Sequence, residues 1–140
     1  AGIFSYNASL DKANQTKIQI DLLDIEKMVE QIRISQGLVF KDVTGSGCTE
    51  CSCRSPNDST NSTCVTMVTN SWNNILTKSA LSAGSRPAPR DPWGGVYMWD
   101  ENEEEYAGNP CRQDFLRSTG KDHIINGDDT ILYLDYLNCP

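Results

Sequence analysis

Residues 18–32, IQIDLLDIEKMVEQI, carry the most regular pattern in the chain. Apolar residues recur there at alternating steps of four and three, which places them along one face of an α-helix. The residues of this stripe are Ile18, Leu22, Ile25, Val29 and Ile32. A second apolar set is expected to widen it: Ile20, Leu23 and Ile34. Because Gly37 suits the end of a helix, we predict one long amphipathic helix over residues 1–37 that packs against a sheet or against other subunits.

Residues 38–90 form a connecting region of mixed character. Residues 41–63 are mostly small, polar or cysteine, which predicts a loop held by its cysteines. A shorter helix is predicted next, because apolar residues return at steps of three, four and three: Val65, Val68, Trp72 and Ile75. Three prolines between residues 82 and 92 disfavour helix before them and indicate an extended connector.

The last part, residues 91–140, has the composition of β-strands. β-Branched and aromatic residues predict strands at 96–99, 115–117 and 130–136. The acidic run at residues 100–105 is interpreted as a solvated turn. A helix followed by an antiparallel three-strand meander is an α+β arrangement, and 140 residues correspond to a single domain.

The charge balance and the scarcity of histidine limit the classes of function. The net charge is −7, and nucleic-acid binding through phosphates needs a basic face, so it is not expected. One histidine, His123, and the lack of a Gly-x-Ser-x-Gly segment leave hydrolase chemistry without its usual residues. We predict no catalytic residue and no small-molecule substrate.

Six cysteines in an acidic chain of this size favour disulfides and an oxidising compartment. Cys111 and Cys139 are expected to pair and to tie the strand region to the C-terminus. Two more disulfides are expected among four cysteines whose three possible pairings stay open: Cys48, Cys51, Cys53 and Cys64. The alternative is a zinc site built from the same four. The single Cys-x-x-Cys and the cramped Cys51-x-Cys53 spacing argue against zinc.

An exported protein needs a targeting segment, and the chain shows none. No stretch approaches the roughly 18 consecutive apolar residues of a membrane-spanning helix, and no secretory signal is present. We therefore expect that an N-terminal segment has been removed. Four Asn-x-Ser/Thr triplets are candidate glycan acceptors, or chance matches in a chain rich in Asn and Thr: Asn7, Asn14, Asn57 and Asn61.

Asp91-Pro92-Trp93-Gly94 has the residues of a tight turn at the entrance of a strand. Pro92 fixes φ, Gly94 tolerates a positive φ, and the Asp91 side chain can accept hydrogen bonds from the backbone that follows it. Trp93 offers a large apolar anchor against the helix.

The order of these parts resembles the soluble portion of type IV pilin-like proteins, most closely type II secretion major pseudopilins. The segments that carry the resemblance are residues 1–6 (the end of the hydrophobic helix), 11–37 (its amphipathic half), 91–94 with Tyr97, 114–122 (DFLRSTGKD) and Asp128-Asp129. Two features depart from the family. The cysteine-rich insert at residues 48–64 is foreign to its pattern, and His123 stands where a glycine would follow the turn.

The resemblance implies a pilin fold and a structural calcium ion in the loop before the last strand. Asp122, Asp128 and Asp129 would provide carboxylates and Thr119 its carbonyl, and such oxygens suit a hard cation. It also implies a non-catalytic subunit of a type IV pilus or type II secretion filament. Its partners would be identical and homologous subunits and the inner-membrane assembly machinery, which the missing hydrophobic helix would contact. The location would be a cell-surface filament, extracellular or periplasmic, anchored in the membrane before assembly.

The alternative function belongs to another class: a small secreted, disulfide-rich binding module or adhesin. Its contacts would lie in residues 41–64 or on aromatic side chains expected to be exposed: Trp93, Tyr97 and Trp99. A third interpretation is a zinc-stabilised interaction domain.

Overall fold

The computed structural model describes the backbone of residues 2–139 and the side chains of residues 11–139. The side chains of residues 1–6 and of the candidate glycan acceptor Asn7 lie outside the described part. The helices are α1 (Gly2–Gln36), α2 (Phe40–Thr44) and α3 (Ser62–Lys78), the strands are β1 (Met98–Asp100), β2 (Phe115–Ser118) and β3 (Thr130–Tyr133), and two 3-10 helices span Thr49–Cys53 and Gly120–Asp122. The predicted α+β class, with a long N-terminal helix and a three-stranded antiparallel sheet, is confirmed.

Helix α1 buries one face and exposes the opposite one. All five residues of the predicted stripe are at most 3% exposed. The helix ends where Gly37 takes a φ of 67° and its N–H donates to the Arg33 carbonyl at 2.9 Å. The second set does not widen the stripe: Ile20 and Leu23 are each 53% exposed and Ile34 is 74% exposed. At about 100° per residue these three positions lie roughly 140–160° away from the buried face, so the domain cannot cover both.

The sheet has the order β1-β2-β3, with both pairs antiparallel. Trp99, Leu116 and Leu132 are register partners and form the row that joins the hydrophobic core, against which α1 packs. β1 and β3 are shorter than predicted, whereas β2 extends one residue further, to Ser118. Val96 precedes β1 and pairs with Arg90 in an isolated bridge, and β3 ends at Tyr133.

The region predicted as a loop at residues 41–63 contains two short helices instead. Phe40 and Val43, three residues apart, are fully buried and give α2 an apolar face against the core. The cysteines form three disulfides: Cys48–Cys51, Cys53–Cys64 and Cys111–Cys139. We call residues 48–64 the insert; its 3-10 helix contacts α3 and β1.

The acidic run after β1 is not a solvated turn, so that interpretation was wrong. Glu101 and Glu103 are fully buried. The Glu103 carboxylate accepts the N–H groups of Leu137 at 2.7 Å and Asn138 at 2.8 Å. Glu101 accepts the Thr49 N–H at 2.9 Å and two threonine hydroxyls. The run therefore satisfies backbone and hydroxyl donors that would otherwise be buried without acceptors.

Two aromatic side chains that were expected to be exposed are buried. Tyr97 and Trp99 have no exposed surface, and only Trp93 is half-buried. Within residues 2–139, none of the helices combines the length and the apolar character needed to cross a bilayer.

Candidate functional site

The predicted metal residues lie in one segment, residues 119–130, which we call the acidic loop. Asn126 organises it from within. Its Nδ2 donates to Asp122 Oδ2 at 2.7 Å, its N–H donates to Asp129 Oδ2 at 3.1 Å, and its Oδ1 accepts the Asp128 N–H at 3.0 Å. One asparagine thus touches all three aspartates that the sequence singled out. Hydrogen bonds from the Ile124 N–H and from Asn126 hold the pKa of Asp122 below its ordinary value.

Asp129 differs from the other two aspartates because its side chain is fully buried. Arg117, on β2, donates to its Oδ2 at 2.7 Å. Its Oδ1 is also buried and has no hydrogen-bond partner in the described part of the chain. Burial raises the pKa of Asp129, and the hydrogen bond from Arg117 opposes that effect. A buried carboxylate oxygen without a donor is costly, and it marks a place where a cation or a water molecule would be favoured.

A cavity of about 480 Å³ separates the acidic loop from α1. Thr119, Asp122 and Asp128 line it, together with Trp93 and Gln15. Asp128 is exposed, whereas Thr119 is buried and donates its hydroxyl hydrogen to Ser59 Oγ at 2.7 Å. Among the described residues, no three acidic, histidine or cysteine side chains converge as a set of metal ligands.

The chemistry of this loop nevertheless suits a hard cation. Its side chains offer carboxylate and amide oxygens, which are the donors that calcium prefers, and one buried carboxylate oxygen is still free to accept. Backbone carbonyls would have to complete the coordination shell.

His123 stands where the resemblance leads us to expect a glycine. His123 takes a φ of 60°, the left-handed conformation that a glycine would adopt at little cost. Its ring nitrogen Nε2 lies 2.8 Å from the Trp93 carbonyl. This contact joins the acidic loop to the turn at residues 91–95, where Asp91 Oδ1 accepts the N–H groups of Trp93 and Gly95, both at 3.0 Å.

The glycan candidates in the insert both use their side-chain amides in the fold. Asn57 pairs with the Ile125 backbone: Nδ2 donates to the carbonyl at 3.1 Å, and Oδ1 accepts the N–H at 2.8 Å. Asn61 caps α3, because its Oδ1 accepts the Thr63 N–H at 3.0 Å.

Sequence reasoning missed several residues that shape the site: Arg117, Asn126, Asn57 and Ser59. Asn126 could have been found from the sequence, because it belongs to an Asn-Gly turn signal between two acidic positions. The sequence marked Asn57 only as a candidate glycan acceptor, and no local pattern indicates that Asn57 or Ser59 contacts the acidic loop. Their partners there lie 60 or more residues away along the chain. In comparisons with known proteins, the chain matched no family model, no curated protein and no solved structure.

Proposed function

We propose that this chain is the globular part of a filament subunit of the type IV pilin class, resembling a type II secretion pseudopilin with a cysteine-rich insert. One observation carries the proposal: α1 exposes large apolar residues on the side opposite its buried face. They are Ile20, Leu23 and Ile34, each more than half exposed. We call these three residues the outer stripe.

A helix with apolar residues on opposite faces is typical of one that packs between neighbours. In a filament the outer stripe would contact helices of adjacent subunits. Assembly would bury this apolar surface, which is exposed to water in the monomer. The 35-residue length of α1, roughly 50 Å at 1.5 Å per residue, suits such end-to-end contacts.

The calcium ion implied by the resemblance is part of this proposal. The ion would bind in the acidic loop, close to Asp129 Oδ1, and pin the loop ahead of β3. Its role would be structural: it would neutralise carboxylates that repel one another and stabilise the folded subunit.

The filament proposal is tested in the cells that make the protein, by antibody labelling and electron microscopy. Leu23→Arg places a charge in the outer stripe at a position outside the hydrophobic core, so the domain should fold and filaments should be lost. The control is Thr66→Arg, which adds the same side chain at an exposed position of α3. Melting temperatures of both variants check that neither is unfolded.

Two outcomes would contradict the proposal. One is filaments of wild-type number in Leu23→Arg. The other is wild-type protein that occurs only as a free monomer in the medium, which is the result expected of a secreted binding module. The burial of Tyr97 and Trp99 removes two of the three aromatic contacts expected of that module, and leaves residues 41–64 as its other expected contact region.

A further inference from the structure

The insert contacts the acidic loop directly, although more than 50 residues separate them in sequence. The most specific contact is the double hydrogen bond between the Asn57 side chain and the Ile125 backbone, at 3.1 and 2.8 Å. Both Nδ2 and Oδ1 of the amide are used, so Asn57 fixes the position and the orientation of the loop backbone at Ile125.

Ser59, a fully buried residue of the insert, makes a second contact. Its N–H donates to the His123 carbonyl at 2.9 Å, and its Oγ accepts the Thr119 hydroxyl at 2.7 Å. Its carbonyl accepts the Val96 N–H at 3.1 Å. Gly95 permits this approach, because a Cβ there would lie 2.2 Å from Ser59 Oγ. Ser59 therefore holds the start of the acidic loop against the turn at residues 91–95.

The third contact runs through Arg117. Glu50 Oε2 accepts from Arg117 Nε at 3.2 Å, and Arg117 Nη1 donates to Asp129 Oδ2 at 2.7 Å. The Glu50 and Asp129 side chains are at most 3% exposed, and the Arg117 side chain is 12% exposed. A guanidinium held in this way pins one oxygen of Asp129 and leaves the other, Oδ1, for a further partner.

We propose that the insert is a positioning clamp for the cation site of the acidic loop. Asn57, Ser59 and Glu50 act as positioning residues: they bind no ion but keep the loop in the arrangement that receives one. This inference rests on the proposed binding of calcium. Because coupling between two equilibria is reciprocal, calcium strengthens the docking of the insert as much as the insert strengthens the binding of calcium.

The test is a calorimetric titration of the intact, oxidised chain with calcium chloride, comparing wild type with Asn57→Ala. The control is Asn61→Ala, which removes a side-chain hydrogen bond from the same insert but touches no part of the acidic loop. We expect Asn57→Ala to weaken calcium binding about fivefold or more, as is typical of coupled sites, and Asn61→Ala to bind like wild type. Hydrogen exchange at the Ile125 N–H, measured without calcium, should accelerate only in Asn57→Ala.

The outcomes separate this inference from the proposed function. If wild type binds calcium and Asn57→Ala binds it as tightly as wild type and Asn61→Ala do, the clamp is overturned while the calcium site stands. If wild type binds no calcium at millimolar concentration, the calcium site is overturned and the clamp's role in cation binding is overturned with it. Exchange at Ile125 that is unchanged in Asn57→Ala would show that the insert does not hold the loop at all.

Discussion

Glu101 is a single residue whose environment dictates how stability depends on pH. Its carboxyl group is buried. It accepts three hydrogen bonds, one from the Thr44 hydroxyl and two from the N–H and hydroxyl groups of Thr49. Burial raises its pKa to about 8, and the hydrogen bonds from Thr44 and Thr49 oppose the rise. A carboxyl whose pKa is higher in the folded state than in the unfolded chain favours folding when it is protonated. That contribution is complete below the unfolded pKa and is lost as pH rises through the folded one.

We therefore expect Glu101→Gln to change the pH dependence of unfolding. Glutamine keeps an acceptor for the Thr49 N–H and cannot ionise, so the variant should gain stability relative to wild type as pH rises from about 5 to 8. The gain is at most about 1.4 kcal/mol per pH unit. Urea unfolding at several pH values measures it. The control is Glu104→Gln, at an exposed neighbouring position, which should show no such trend. A constant difference between Glu101→Gln and wild type at all pH values would contradict the prediction.

The elements show how far sequence patterns reach. The 3.6-residue period of α1 and α3 was readable because each helix buries one face, and the turn at residues 91–94 because proline and glycine restrict the backbone by themselves. The same period placed Ile20, Leu23 and Ile34 on α1, but it did not show that nothing in the described domain would cover them. Burial of Glu101 and Glu103 depends on donors from α2, from the insert and from the C-terminal segment. No local rule supplies such long-range partners, which is also why the contact between Asn57 and Ile125 was not predicted.

Two of the disulfides close covalent loops of very different length. We expect them to contribute different amounts to the free energy of unfolding. Cys111–Cys139 spans 28 residues and encloses β2, the acidic loop and β3, whereas Cys48–Cys51 spans three. The entropy that a cross-link removes from the unfolded chain grows with loop length. By that account the long bridge contributes about 3–4 kcal/mol and the short one about 1–2 kcal/mol.

Replacing both cysteines of a bridge by serine tests this difference. The Cys111→Ser/Cys139→Ser double variant should lower the free energy of unfolding clearly more than Cys48→Ser/Cys51→Ser. Denaturant unfolding under non-reducing conditions, at the same pH and without calcium, gives both values. Equal losses in the two double variants would mean that local packing, and not chain entropy, determines what each bridge contributes.

For the whole molecule, the insert joins parts that are distant in sequence. It contacts α3 and β1 on one side and the acidic loop on the other, and its Ser59 reaches the turn at residues 91–95. The domain has a net charge of −7, and Asp129, one of its acidic groups, is buried with an unpaired oxygen. A divalent cation bound there would offset local repulsion. It would also link the insert, the loop and β3 into one cooperative unit.

We therefore predict that calcium raises the melting temperature of the intact chain relative to excess chelator. A ligand present at 100 times its dissociation constant stabilises the folded state by about 2.7 kcal/mol. For a domain of this size, that corresponds to a shift of roughly 5–15 °C. Magnesium should produce a smaller shift, because it demands a rigid octahedral shell that an irregular loop does not supply.

The matched variants make the prediction specific to the acidic loop. Asp128→Asn should lose most of the calcium-dependent shift, because Asp128 is an exposed carboxylate of the cavity and its loss disturbs no buried contact. Asp42→Asn removes the same charge at an exposed position on α2 and should keep the shift. If both variants lose it equally, the effect of calcium is general screening of an acidic protein and not a site. If Asp128→Asn keeps the full shift, the ion binds elsewhere, and the residues that the pilin resemblance assigned to it are the wrong ones.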